Sequence, residues 1–309
     1  MLSRTASELY WMARYLERAE NIARVLDVTN RLSMMPFRET GHQDLQVPLN
    51  LTGSGAAYWE YYQQLTMPGI FDYFALDTRN PSSIYSCFQS AWENAHAVRG
   101  SLSSEVWESI NSAWIEMKRL RKEGVNSSNA DDFFDWVKER SHLFRGAMFG
   151  TMLRNDAMSF IRIGTLLERA DSTARLLGVK NQLLDNDPDA VREHYRMDTL
   201  LRAVSAREAY HSIYKQQLVR EMVADLLILR SESPRSLRSC IEEVVNQLEL
   251  IGGHSANAPR RLAHVLHAEL RFSTLDDVID SGLQPWLTRF LSQVNAISES
   301  IQYTYLEAQ

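Results

Sequence analysis

One segment of this chain occurs twice, and this duplication limits the possible folds more than any other feature of the sequence. Residues 16–26 read LERAENIARVL and residues 167–177 read LERADSTARLL, an offset of 151 positions. Of the 27 aligned positions that surround and include these segments, 11 are identical. Two shorter matches follow in the same order at offsets of 152 and 153. A repeat of this kind indicates a duplicated structural unit, so we predict two homologous halves, 1–150 and 151–309.

The spacing of apolar residues predicts helices in both halves. Intervals of three and four residues dominate, which is the periodicity of an amphipathic helix. The chain has only 13 Gly and 8 Pro among 309 residues, too few for the turns of a many-stranded β protein. We predict an all-α fold, a helical bundle whose two halves pack as one body around a pseudo-two-fold axis. The predicted helices include 4–33, 49–76 (with a break near Pro68-Gly69), 80–100 (capped at Asn80-Pro81), 103–123, 130–150, 155–184 and 206–230.

Composition and charge argue against several classes of protein. Acidic residues outnumber basic ones by 39 to 33, a net charge of −6, which speaks against general nucleic-acid binding. No apolar run approaches the roughly 18 residues of a membrane-spanning helix, and residues 1–8 lack the apolar core of a signal peptide. Two cysteines do not make a disulfide framework. We therefore expect a cytoplasmic protein with neither a nucleic-acid nor a membrane partner.

The sequence contains little that indicates a bound cofactor or a bound metal. Neither G-x-G-x-x-G nor G-x-x-x-x-G-K-[ST] occurs, so we expect no nucleotide on this chain alone and predict no cofactor. Three Glu-x-x-His pairs occur, and di-iron four-helix proteins use two such pairs with two further glutamates. Because the three pairs do not obey the repeat, we predict no metal and keep a di-metal helical protein as a minor alternative. The pairs are Glu93/His96, Glu139/His142 and Glu208/His211.

The repeated Glu-Arg dipeptide carries the most unusual charges of the sequence. Four residues after Leu16, Glu20 begins an i,i+4 pair with Arg24, and Asp171 repeats it with Arg175; such pairs typically stabilise one helix locally. Arg18, by contrast, falls at the margin of the apolar face, where an unpaired buried charge is costly. A crossed arrangement, in which Glu17 pairs with Arg169 and Glu168 pairs with Arg18, would give each buried charge a partner. The four residues then form either a buried ion-pair network or a polar pocket for binding or catalysis.

At this motif the sequence resembles a known family. The segments 3–6 (SRTA) and 9–21 (LYWMARYLERAEN), the second copy at 167–177, and the stretches that begin at Pro81 and Pro234 are similar to the bacterial α-E domain family, an all-helical group with a Glu-Arg motif. One departure is visible, since Thr165 stands where the family tends to carry an arginine like Arg14. The candidate residues for a polar or binding site are Glu17, Arg18, Glu168, Arg169, Arg14, Arg24, Arg175 and Arg4, with no catalytic residue assigned.

The resemblance implies a partner more clearly than a reaction. Members of the α-E family accompany circularly permuted ATP-grasp ligases, which join a carboxylate to an amine, and transglutaminase-like proteins. It therefore implies an accessory or scaffold subunit of a bacterial peptide or amide synthesis or modification system. Such a subunit would dock on the ligase or present its substrate. The chain could also form a homo-oligomer. The alternative is an enzyme that acts on a peptide or on the ligase product through a Glu/Arg site.

Overall fold

The regular structure of this protein is entirely helical in the residues that the computed structural model describes, namely 1–33, 41–126, 128–185, 190–251 and 257–307. Fifteen α-helices occur in these ranges, and no strand does. The predicted all-α fold is thereby confirmed. Among the described residues, we find no helix with the length and apolar character needed to cross a membrane.

The helices follow one another with short connections. In the first half they are α1 (Ser3–Ser33), α2 (Gly41–Thr52), α3 (Gly55–Tyr61), α4 (Met67–Phe71) with a π-helical turn at Asp72–Leu76, α5 (Ile84–Ala97), α6 (Ser104–Glu123) and α7 (Ala130–Thr151). In the second half they are α8 (Asp156–Asp185), α9 (Ala190–Ala203), α10 (Arg207–Tyr214), α11 (Arg220–Ile228), α12 (Leu237–Ile251), α13 (Asn257–Phe272), α14 (Leu275–Asp280) and α15 (Leu283–Ile301), followed by a π-helical turn at Gln302–Leu306.

The chain divides into two compact units by its internal contacts. The first unit is Trp11–Arg154, and the second unit is Met1–Tyr10 together with Asn155–Gln309. In the first unit α6 packs against both α5 and α7; in the second, α8 packs against α12 and α15, and α13 packs against both α12 and α15. The homology of 1–150 with 151–309 and the pseudo-two-fold axis stay predictions.

Two of the predicted helices are interrupted beside buried tyrosines. The predicted helix 49–76 is interrupted at residues 53–54 and again after Tyr61, where the hydroxyl of the fully buried Tyr58 donates to the carbonyl of Gln64 at 2.9 Å. The break predicted near Pro68-Gly69 was misplaced, since both residues lie within α4. The predicted helix 206–230 is interrupted in the same way, because the Tyr210 hydroxyl donates to the Gln217 carbonyl at 2.8 Å. In both cases the tyrosine hydroxyl gives a loop carbonyl a hydrogen-bond partner outside the helix, which stabilises the break.

The start of α5 corrects a predicted cap. Asn80 and Pro81 precede the helix in a turn, and the Asn80 amide donates to the Tyr73 carbonyl at 3.0 Å. The N-cap is Ser83, whose buried hydroxyl accepts from the Ser86 backbone N–H at 3.1 Å. The prediction of a helix from Asn80-Pro81 was wrong because a serine three residues on provides the acceptor that the first turn needs.

Candidate functional site

The first Glu-Arg copy lies on a polar face of α1 that contacts α7 inside the first unit. Its charged residues recur at intervals of three and four, so they lie along one side of the helix. Facing residues on α7 recur with the same spacing. We call this contact the α1–α7 seam; its members are Glu17, Glu20, Arg24, Asp27 and Asn30 on α1 with Asp131, Lys138, His142 and Arg145 on α7.

The first contact of the seam joins two carboxylates to two guanidinium groups. The Glu20 side chain is fully buried, and Arg24 donates to its Oε1 from Nε at 2.9 Å and from Nη2 at 2.8 Å. Arg145 donates from Nη1 to the other oxygen of Glu20 and to Glu17 Oε2, the latter at 3.3 Å. Buried charges are tolerated only when each is paired and hydrogen-bonded. Arg145, on the facing helix α7, provides that pairing for Glu17 and Glu20.

The next contacts continue the seam away from the Glu-Arg dipeptide. His142 Nε2 lies 3.5 Å from Arg24 Nη2. Asp27 accepts from Lys138 Nζ at 2.9 Å and from Arg31 Nε at 2.7 Å. Burial works to raise the pKa of Asp27, but the hydrogen bonds from Lys138 and Arg31 outweigh it and hold that pKa below its usual 3.8. Asp27 therefore stays ionised in this seam.

Two further candidate arginines of the first copy lie near aromatic rings of α1. The Arg18 guanidinium lies 5.7 Å from the Tyr15 ring centre, and the Arg14 guanidinium lies 5.2 Å from the Trp11 ring centre. Both are cation–π distances. Arg4 is exposed.

In the second copy, Glu168 is buried and Arg169 is half-buried on α8. Asp171 accepts from Arg175 at 2.8 and 3.1 Å, so the predicted i,i+4 pairs are confirmed in both copies. The crossed pairing of the two Glu-Arg dipeptides stays a prediction.

A family model matches residues 1–306, and it describes Alpha-E, a predicted alpha-helical domain with a conserved ER motif. The chain belongs to the Alpha-E family. The resemblance seen in the sequence is thereby confirmed, and the Glu-Arg copies on α1 and α8 both fit the dipeptide in that description.

Curated relatives of this Alpha-E chain are considerably longer than the chain itself. It is 24% identical over 314 residues to an uncharacterized protein of Mycobacterium bovis, and equally so to uncharacterized proteins of two Mycobacterium tuberculosis strains. The match covers 95% of this chain and 35% of each relative, so the chain spans about a third of their length. No solved structure matches it.

Three partners of the Alpha-E seam were missed by the reasoning from sequence. Arg145, His142 and Lys138 lie more than 100 positions from their partners on α1. Their own spacing of four and three residues was the available signal, since it places three basic or imidazole groups on one helix face. The sequence pairs His142 with Glu139 only in the minor di-metal alternative, but the Glu139 side chain is 68% exposed, and His142 Nε2 lies 4.0 Å from the buried carboxylate of Glu20.

The other histidine pairs of this Alpha-E chain do not assemble a metal centre in the described part of the chain. No group of three or more His, Cys, Asp or Glu side chains is placed to hold an ion there. Glu93 accepts from Gln89 at 2.9 Å, and His96 packs against Trp92 with ring centres 5.4 Å apart.

Proposed function

We propose that this Alpha-E chain is a non-catalytic accessory subunit of an ATP-grasp-type ligase in a peptide or amide synthesis system. The observation that carries the proposal is the closure of the first Glu-Arg site: the Glu17 and Glu20 side chains are 1% and 0% exposed and both are bonded to Arg145. A general acid or base must reach the proton that it transfers. Carboxylates so enclosed serve to fix α1 against α7.

The length of the relatives supports a role beside other domains. In the mycobacterial proteins the matching region is joined to about twice its own length of additional chain. A helical module that forms part of larger chains there is expected to work in contact with other domains or proteins. The choice of an ATP-grasp-type ligase, with a transglutaminase-like protein as a further companion, comes from the family resemblance.

The direct test is purification of the tagged chain from its native host, followed by mass spectrometry of the proteins that accompany it. We expect an ATP-grasp-type ligase at near-equal amounts, and its rate of ADP formation should change when this chain is added back. The proposal would be contradicted if the chain were recovered alone, or if the rate and product of the ligase were the same with and without the chain.

A pair of variants separates a structural from a catalytic role of the first Glu-Arg site. Glu17→Gln should unfold at a lower temperature than the wild type yet, when folded, still capture the ligase, because its carboxylate serves packing. Glu139→Gln on the exposed face of α7 is the control and should change neither property. A Glu17→Gln protein that is as stable as wild type but inactive would support the enzyme alternative instead.

A further inference from the structure

The second unit contains an open cleft between α9, α10 and the loop that follows α10. Its volume is about 490 Å³, which is within the roughly 300–1,000 Å³ of small-molecule sites. Ionisable side chains from all three segments line it, together with one buried leucine. The lining includes His194 and Asp198 from α9, Arg207 and His211 from α10, and Lys215 and Leu218 from the loop.

A single carboxylate on α9 holds two guanidinium groups at one side of the cleft. Asp198 accepts from Arg207 Nε and from Arg202 Nε, each at 2.6 Å. Burial works to raise the pKa of Asp198, but these two hydrogen bonds outweigh it and hold that pKa below its usual 3.8. The three ionised groups therefore carry one positive charge in excess. Glu208, which follows Arg207, is exposed and does not line the cleft.

Most of the hydrogen-bond donors around the cleft are unused. Arg207 has five N–H donors, and its hydrogen bond to Asp198 is made by Nε alone, so in the described part of the chain both Nη groups stay available. The Lys215 ammonium group and the imidazoles of His194 and His211 likewise make no side-chain hydrogen bond or ion pair with a described residue. The cleft accordingly presents positive charge and donors to whatever enters it.

The first unit forms a similar loop without these cationic groups. The sequence match at an offset of 152 pairs Tyr58 with Tyr210, and the hydroxyl of each buried tyrosine donates to a loop carbonyl. At the same offset the first unit has Gly55, Trp59 and Gln63 where the cleft has its arginine, its second histidine and its lysine. A loop bonded to a buried tyrosine therefore does not require the cations, and their contribution is the charge of the cleft.

We propose that the cleft between α9 and α10 binds a small organic phosphate, whose phosphoryl oxygens accept hydrogen bonds from Arg207 and Lys215. These two cations outnumber Asp198 in the lining. A phosphate monoester matches them better than a carboxylate does, because it carries about two negative charges and three acceptor oxygens instead of one charge and two oxygens. Leu218 provides an apolar surface for the organic part of the ligand.

The test is calorimetry on the whole chain without any partner, in about 0.15 M salt so that long-range charge effects are screened. The probe is phenyl phosphate, and the comparison compound is benzoate, which has the same ring with a carboxylate. We expect phenyl phosphate to bind about tenfold more tightly than benzoate, and inorganic phosphate to bind more weakly than phenyl phosphate. Equal binding of the two aromatic anions, equal binding of inorganic phosphate, or no binding of phenyl phosphate would overturn the assignment.

The decisive variant is Lys215→Gly, which separates binding from stability. Lys215 ends α10 with φ 52°, a left-handed conformation that glycine adopts without strain. The variant should therefore melt no lower than wild type, yet bind phenyl phosphate about tenfold more weakly. Lys122→Gln, at an exposed lysine of α6 outside the cleft, is the control and should bind as wild type.

A second variant tests the arginine. Arg207→Gln should also weaken binding of phenyl phosphate about tenfold, since it removes the guanidinium that Asp198 holds. If this variant fails to fold, Lys215→Gly still decides the matter, because wild-type affinity in that variant refutes the site.

The cleft and the proposed function stand or fall separately, because binding is measured on the chain alone. Phenyl phosphate binding combined with purification free of any ligase would retain the cleft and refute the partner. A co-purifying ligase combined with no phosphate binding would do the reverse.

Discussion

Replacing Glu20 with glutamine tests whether the α1–α7 seam is a structural element. The side chain is fully buried and holds Arg24 and Arg145, and removing one member of a buried ion pair costs about 3–5 kcal/mol. Glutamine keeps one hydrogen-bond acceptor, which recovers about 1 kcal/mol. We therefore expect a loss of about 2–4 kcal/mol, or a melting temperature lower by about 4–16 °C for a unit of this size.

The repeated segment offers a matched control in Asp171→Asn. This residue makes the equivalent i,i+4 pair with Arg175, but the two side chains are 18% and 41% exposed, so the expected loss is about 0.3–0.5 kcal/mol. Urea unfolding followed by circular dichroism measures both variants. Equal losses of unfolding free energy at the two positions, or a Glu20→Gln protein as stable as wild type, would refute the argument that burial of the seam determines how much stability is lost.

Three further predictions concern local contacts. The pKa of Asp27 is lowered by the hydrogen bond from Lys138. Its ionised form therefore stabilises the fold above about pH 4, and this stabilisation is lost as the pH falls through the lowered pKa. Asp27→Asn should thus be less stable at neutral pH and approach wild type in acid, and an unfolding free-energy difference that stays constant with pH would contradict this. Tyr210→Phe removes the hydroxyl that donates to the Gln217 carbonyl and accepts from the Val219 backbone N–H, and it should cost about 0.5–1.5 kcal/mol. A thermal scan that matches wild type would show that these two hydrogen bonds do not stabilise the loop. Ser83→Ala removes the N-cap of α5 and should lower the free energy of unfolding by about 0.5–2 kcal/mol. Ser83→Gly should lower it by only a few tenths of a kcal/mol, and urea unfolding measures both.

Much of the fold follows from short-range patterns. Helices α1, α6, α7 and α8 begin and end within a residue or two of the predicted limits, because the apolar spacing and the caps that define them lie within each segment. The breaks after Tyr61 and Tyr214 were not predicted, since a buried tyrosine bonded to a carbonyl six or seven residues on leaves the apolar spacing unchanged.

The sequence by itself determined the helical class, the repeated Glu-Arg segment, the family and the pairs Glu20–Arg24 and Asp171–Arg175. Each of these depends on residues near one another along the chain or on direct comparison of letters, and helix geometry alone places positions i and i+4 side by side. Only the tertiary structure decided that Glu20 is buried and that Arg145, 125 positions away, is its second partner. Contacts between helices depend on which faces pack and in what register. For that reason the sequence does not show that the first copy of the repeated segment forms an ion-pair seam with a helix more than 100 positions away.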